Sequence, residues 1–381
     1  MKKLKIIFIS LTCMVMAAAC NAGGKYNTKD TADQSDKTPT PAVTTPAEVI
    51  VKDGSEQETV KTGGPVDTLI CQDFYPLKAD TEYVYEGSGN EYASFVTYVD
   101  YLDPSGGRLQ TRTNNGGTET VRVLEFKDGK LYVTQTVPEC YYRDNFMDTV
   151  VDGESEILLV EPLIPGTGWT LSDGRKRTIT ASDVWIETPI GKFQALEVTT
   201  EGEDNVIKDY YAKHTGLVKS VFTSEDFEVS STLSRINKAV PLTRDIVLFY
   251  PDSDGNIYTE VTTLSFHTND NTGEVLSGIL KAEAPKPTYL PLLSKNTKIN
   301  SLYLGEDRIV YLDLSSEFIE ESNTGAGFEQ LLLQSMANTL GMYYSAEEIS
   351  LTIDGKPYES GHILMKKGET IKVNLDQVIT E

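Results

Sequence analysis

Thr297–Phe318 reads TKINSLYLGEDRIVYLDLSSEF, Phe328–Leu340 reads FEQLLLQSMANTL, and Glu347–Lys356 reads EEISLTIDGK. The first stretch predicts two strands, Lys298–Leu304 and Arg308–Leu314, joined at Gly305-Glu306-Asp307. The second places Phe328, Leu332, Met336 and, beyond it, Tyr343 on one stripe, with Leu331 and Leu340 flanking. That spacing predicts an amphipathic helix from about Thr324. In the third, Glu348–Ile353 is a strand stopped at Asp354-Gly355.

Working upstream, Ile246–Tyr250 is a continuous apolar run ended by Pro251, as a buried strand would be. Asp254-Gly255 turns it into a second strand, Ile257–Phe266. Asn271 or Thr272 can cap a helix carrying Val275, Leu276, Ile279 and Leu280, and Pro285 and Pro287 stop it. Strand, strand, helix, strand, strand, helix, strand makes a small two-layer α/β domain, assigned to 239–381.

From about Leu69 to Ile236 every signal is strand. TEYVYEG, ETVRVLEF, KLYVTQTV, KFQALEVTT and similar runs are rich in Val, Ile, Thr and Tyr. Turn residues separate many of them, among them Asn114-Asn115-Gly116-Gly117, Asp128-Gly129 and Asp173-Gly174. In ETVRVLEF, Thr120, Arg122, Leu124 and Phe126 share one face while Val121 and Val123 share the other. The fold class expected is therefore α+β overall. An all-β antiparallel middle domain over 67–238, either a sandwich or a strongly curved half-barrel, precedes the α/β domain.

The C-terminal pattern resembles the GerMN domain, the sporulation and spore germination module of bacterial envelope proteins, over about Leu242–Glu369. The residues carrying the resemblance are Leu248–Asp252 (LFYPD), Glu260, Gly278-Ile279-Leu280, Tyr311–Ser315 (YLDLS), Thr339-Leu340 and Asp354-Gly355. Two family features are replaced here, by Ala284-Pro285 and by Ser294-Lys295-Asn296-Thr297, and one copy stands where many relatives carry two. The resemblance implies an extracytoplasmic, non-catalytic module of spore-forming Gram-positive bacteria and their relatives. It is associated with peptidoglycan-linked assemblies and resembles modules that associate side by side.

Met1–Cys20 combines three lysines, an apolar run from Ile6 to Met16, and Ala17-Ala18-Ala19-Cys20. The run is too short to span a bilayer, and the pattern is that of a leader, 1–19. Small residues before a cysteine resemble the lipobox, with Cys20 as the lipidated residue; ordinary cleavage after Ala-x-Ala is the alternative. Residues 20–66, rich in Thr, Pro, Ala, Asp and Lys, lack the apolar surface needed to offset ordering entropy and are expected to be a disordered tether. The anchor would then hold the protein on the outer face of the cytoplasmic membrane of a Gram-positive-type bacterium.

With Cys13 and Cys20 accounted for, Cys71 and Cys140 remain. In an exported protein they permit one disulfide, worth at most about 4 kcal/mol for such a loop. Two buried free thiols are the other reading.

The net charge is −23, near −26 once Lys2, Lys3 and Lys5 leave with the leader. Such a field excludes nucleic acid and anionic headgroups as general partners. His214, His267 and His362 lie in separate segments, so no catalytic triad is named, and no HExxH, CxxC or close His pair offers a metal site. Asp252-Ser253-Asp254-Gly255 resembles a calcium loop, but its Gly comes two positions early and a hairpin turn is the simpler reading. Asp313 reads as a strand-ending residue that bonds nearby amides, or else as a mark of a partner surface. A wall hydrolase would need a carboxylate pair in the β domain, such as Asp183 with Glu187 or Glu197, and acids are plentiful enough for such a pairing to arise by chance. Twenty tyrosines against twelve phenylalanines fit strands, and also fit sugar-stacking surfaces.

The expected function is a non-enzymatic envelope scaffold or binding module in cell-wall or spore-envelope assembly, with no cofactor. Its partners would be an envelope protein or a second copy through the C-terminal domain, with peptidoglycan a further class. The alternative is a carrier holding a lipid or glycan in the β domain.

Overall fold

The computed structural model describes residues 69–76, 78–149, 155–225, 227–322, 325–376 and 378–379. The proposed leader, Cys20 and the tether lie outside the described residues.

Twelve strands form one antiparallel sheet: β1 (Thr81–Ser88), β2 (Phe95–Leu102), β3 (Arg108–Asn114), β4 (Glu119–Lys127), β5 (Lys130–Val137), β6 (Glu156–Val160), β7 (Gly168–Thr170), β8 (Lys176–Thr188), β9 (Gly191–Glu201), β10 (Val206–Ala212), β11 (Gly216–Ser224) and β12 (Phe227–Lys238). Their order is β6-β5-β4-β3-β2-β1-β12-β11-β10-β9-β8-β7, so consecutive strands pair except β6 and β7, which are the two edges, and the first strand pairs with the last. Of the two architectures expected, the curved half-barrel holds and the sandwich does not.

The sheet rolls because bulges accumulate in it: the register slips at Val84/Tyr85, Val99/Tyr101, Val123/Leu124 and Tyr210/Tyr211, and each slip adds local twist. Alternation holds along β4: Leu124 belongs to the interior cluster, while Val121 and Val123 share the other face with their partners Arg112 and Gln110 and are buried as well, so both faces of this strand are covered. The edges are bridged by side chains. Trp169 Nε1 on β7 donates to the Ile157 carbonyl of β6 at 3.1 Å, and Arg177 Nη1 on β8 donates to the same oxygen at 2.6 Å. Arg177 also pairs with Glu156 at 3.0 Å.

The interior is filled. Leu109, Leu124, Leu131, Leu159, Ile179 and Leu196 form one cluster, and Tyr83, Tyr85, Val99, Val218 and Leu233 are in another. Leu102 and Leu217 pack against both. A short 3-10 turn, Cys71–Phe74, lies against β5 and β11 and adds Cys71 and Phe74 to the first cluster.

The C-terminal elements arise in the expected order: β13 (Leu242–Pro251), β14 (Ile257–Phe266), α1 (Thr272–Leu280), β15 (Ile299–Leu304), β16 (Ile309–Leu314), α2 (Glu317–Ser322), α3 (Ala326–Tyr344) and β17 (Glu348–Ile353). Asn271 is the N-cap of α1, its side chain accepting from Glu274 N. The short α2 was not expected; it carries Glu317, Glu320 and Glu321. The strands also divide between two sheets. One is β13-β14 with β20 (Val378–Ile379), the other β15-β16-β17 with β18 (Lys356–Pro357) and β19 (Ile371–Lys372). Both pack on α3, whose Leu332, Leu333, Met336, Leu340 and Tyr344 share a core with Leu248, Leu312 and Leu351. Leu69–Glu381 is one compact unit.

Gly341 makes the close approach between α3 and β19 possible. A Cβ there would stand 2.2 Å from Val373 Cγ2 and 3.0 Å from the Ala346 carbonyl. Gly341→Ala gains about 1 kcal/mol of helix propensity but forces Val373 outward at about 1–3 kcal/mol. A net loss of up to about 2 kcal/mol in urea unfolding is expected; a stabilised variant would refute the packing.

Candidate functional site

Asp100 on β2, Gln110 and Arg112 on β3, and Glu119 on β4 lie at positions where a half-exposed sheet would show polar groups to water. All four are at most 2% exposed. The strap after β5, residues 138–149, and the C-terminal elements cover them. Arg112 pairs with Asp100 at 3.0 Å and with Glu119 at 2.7 Å, and donates to the carbonyls of Cys140 and Tyr142 on the strap. Burial disfavours its charge, but Asp100 and Glu119 outweigh that and hold its pKa above the ordinary value. Arg244 of β13 reaches the same Glu119.

Arg143, in the strap, is the second centre. Its Nη1 donates to Tyr101 Oη (2.9 Å) and to the Asp270 carbonyl, and its Nη2 to the carbonyls of Asp100 (2.9 Å) and His267 (3.0 Å). The guanidinium lies over the rings of Tyr101 (4.2 Å) and Phe266 (4.9 Å). One wholly buried side chain thus ties the large sheet to the entrance of α1. Around it, Thr268 Oγ1 donates to the Val99 carbonyl at 2.7 Å, and Asn269 Nδ2 to the Leu102 carbonyl at 3.0 Å.

Beside this junction opens a polar groove of about 530 Å³, lined among others by Tyr101, Asp103, Arg108, Asp144, Asn271 and Thr272. Asp144 is its titrating group. Burial pushes its carboxyl up to about 6, partly offset by the Asn145 amide and the Arg143 charge. A raised folded-state value means that the native form binds the proton more tightly than the unfolded chain. This stabilisation is therefore present at low pH and is lost as pH rises through about 4 to 6. Asp144→Asn is expected to flatten that dependence and to stabilise the protein at pH 7.5 by about 1–2 kcal/mol. Unfolding curves at pH 4.5, 6 and 7.5 check this, and parallel curves for both proteins would refute it.

The residues singled out in the sequence fall into separate places. Cys71 and Cys140 are buried free thiols rather than a disulfide. Cys71 sits against Gly129 and Glu161, and Cys140 against the strap carbonyl of Tyr142. Burial raises both thiols, to about 12 and about 11, so both are poor nucleophiles at neutral pH. His214 is in the β10–β11 turn with φ 62°, His267 is 3.2 Å from Asp80, and the His362 amide bonds Ser360. Asp183 bonds Gln194, Glu187 pairs with Lys192, and Glu197 with Lys208. Asp252 closes a hairpin turn by accepting from Asp254 N and Asn256 N. Asp313 accepts from Gly355 N, Thr352 Oγ1 and Asn300 Nδ2, a structural role. Arg112, Arg143 and Asp144 were not singled out. The available signal was the strap's own composition, with Tyr141, Tyr142 and Phe146 around Arg143, which is too aromatic for a solvated loop.

Residues 247–359 match the family described as "Germane: Sporulation and spore germination". This is a GerMN-domain protein. No curated protein sequence matches the chain. Among solved structures, the tandem GerMN domains of the sporulation protein GerM from Bacillus subtilis align at 18% identity over 33% of this chain and 45% of that one, with TM-score 0.25. The chain thus spans less than half of that relative's length. The first GerMN domain of the same protein aligns at 21% identity over 32% of this chain and 94% of that one, with TM-score 0.26. A Bacteroides fragilis protein of YmcC-like fold aligns at 15% identity over 44% of this chain and all of that one, with TM-score 0.28. Among the described residues of the GerMN-domain protein, no helix is long and apolar enough to cross a membrane and no cluster of side chains could hold a metal ion.

Proposed function

We propose that this GerMN-domain protein is a non-enzymatic scaffold or binding module of the bacterial envelope, working outside the cytoplasmic membrane in cell-wall or spore-envelope assembly. The family match over 247–359 is the observation that carries the reading. The buried junction supports it: Arg112 and Arg143 hold a large rigid sheet at a defined geometry to the GerMN elements, which suits a spacer or assembly part. In this reading 1–19 is a leader, Cys20 the lipid anchor, 20–66 the tether, and 67–238 and 239–381 the two functional halves. The partner is an envelope protein or a second copy bound through the C-terminal half. The carrier alternative has less support, because leucines, valines and tyrosines from both halves of the sheet fill its interior.

Native mass spectrometry of the ectodomain recovered from its own envelope tests this. Discrete multimers, or a stoichiometric protein partner, are expected. A monomer carrying a reproducible small-molecule mass would overturn the scaffold in favour of the carrier.

A further inference from the structure

The sheet β15-β16-β17 presents its Leu302, Leu312 and Leu351 side to the core, and its other side is exposed along β15 and half-exposed along β16 and β17. Across that other side, Tyr303 lies opposite Tyr311 and Tyr311 beside Ser350, with Ser301, Asp313 and Thr352 as the next row. The two tyrosine rings stack at 5.3 Å between centroids and 14° between planes, and Tyr303 is 46% exposed. This pair is fixed before any ligand arrives. Tyr311 Oη donates to Asp307 Oδ2 at 2.8 Å, and Asp307 Oδ1 accepts from Ile309 N at 3.2 Å. Gly305 makes room for the ring, since a Cβ there would stand 2.7 Å from Tyr311 Cε2. Asn300 Nδ2 is likewise set, 2.9 Å from Asp313 Oδ2.

We propose that this face is a glycan-binding platform, taking a neutral polysaccharide across Tyr303 and Tyr311. A sugar ring has an apolar C–H face and a rim of hydroxyls. It therefore fits a flat aromatic surface ringed by short polar side chains, and here the aromatic surface is flanked by Ser301, Asn300, Asp313, Ser350 and Thr352. A protein partner of hot-spot type needs an apolar centre sealed from water, and this face supplies only the tyrosine pair with Ile309 beside it. The charges choose among glycans. Asp307 and Asp313 flank the pair, both held below the usual carboxylate range, Asp307 by Tyr311 and the Ile309 amide, Asp313 by Thr352 and Gly355 against the opposing effect of burial. With a chain charge of −23 around them, they repel anionic polymers and accept hydroxyl donors. Three strands span about 10 Å, room for one or two sugar units. Because both rings are locked by the fold, little conformational freedom is lost on binding.

The proposal stands apart from the reading above, since it uses a face that neither the junction nor the large sheet's interior touches. The test is affinity electrophoresis of the full chain through native gels containing hydroxyethylcellulose, glucomannan or glycol chitin, with alginate as the anionic control. Retardation by at least one neutral polymer and none by alginate is expected. Tyr303→Ala should weaken it at least tenfold with an unchanged melting temperature, while Tyr303→Phe, which keeps the ring, should retain it. Migration unaffected by every neutral polymer, or equal retardation of the Tyr303→Ala protein, would overturn the platform and leave the scaffold reading where it was.

Discussion

Arg112→Met is expected to cost about 3–5 kcal/mol of folding stability, the range for removing one partner from a buried ion pair. The side chain lost is 2% exposed and serves two carboxylates, Asp100 and Glu119, themselves 0% and 1% exposed. Methionine fills most of the volume, so the loss reports the stranded charges rather than a cavity. Gln110 still reaches Asp100 and Arg244 still reaches Glu119, which keeps the expected loss within that range instead of abolishing folding. For a unit of this size the melting temperature should fall by about 10 °C. The triple variant Arg112→Met, Asp100→Asn, Glu119→Gln removes the three central charges while leaving amide oxygens for Arg143 and Arg244, and should recover part of the loss. Urea unfolding of all three proteins decides the matter. A single variant within about 1 kcal/mol of the parent would show that the network carries little stability.

Arg143→Ala should produce a similar loss, about 3–5 kcal/mol, but a different unfolding profile. Its guanidinium satisfies the carbonyls of Asp100, His267 and Asp270, one on the large sheet and two at the entrance of α1. Without it, three buried acceptors lose a donor, and the link between sheet and GerMN elements weakens most. The parent is expected to melt in one calorimetric transition and the variant in two, with proteolysis near the Ala239 connector, where φ is 55°. Arg143→Lys keeps the charge but not the planar fork, so it should recover only part of the stability. A variant that still melts in one transition would mean that the two halves are coupled through other contacts, such as the Tyr98 hydroxyl on the Val240 carbonyl.

Much of this fold was legible residue by residue. Asn271 is the cap of α1 because its side chain can accept from an orphan amide three residues on. β13 and β14 end and begin at Pro251 and Asp254-Gly255 because a proline and a tight turn leave the chain little choice. The alternation of Ile309–Leu314 set which residues of β16 face the core. These signals act over a few residues, within reach of backbone sterics and hydrogen-bond chemistry.

What was not legible depends on distant partners. Whether ten or more strands roll up or split into facing layers is decided by where bulges fall and by which edges meet, here through Trp169 and Arg177. Alternation carries no sign that polar residues such as Arg112 and Glu119 are buried. Their burial follows from a strap and the C-terminal elements brought over them from elsewhere in the chain. Cysteine spacing left a disulfide and two free thiols equally open, and only the separate packing of Cys71 and Cys140 resolved it. Periodicity could place Tyr303 and Tyr311 on strands, but not as a locked pair. That required the register of β15 against β16 and the missing side chain of Gly305. Local chemistry settles elements and their inner faces, because each residue senses its neighbours within a turn. Register, closure and the burial of charge are sums over contacts made by residues tens to hundreds of positions apart, and those sums exist only once the chain has folded.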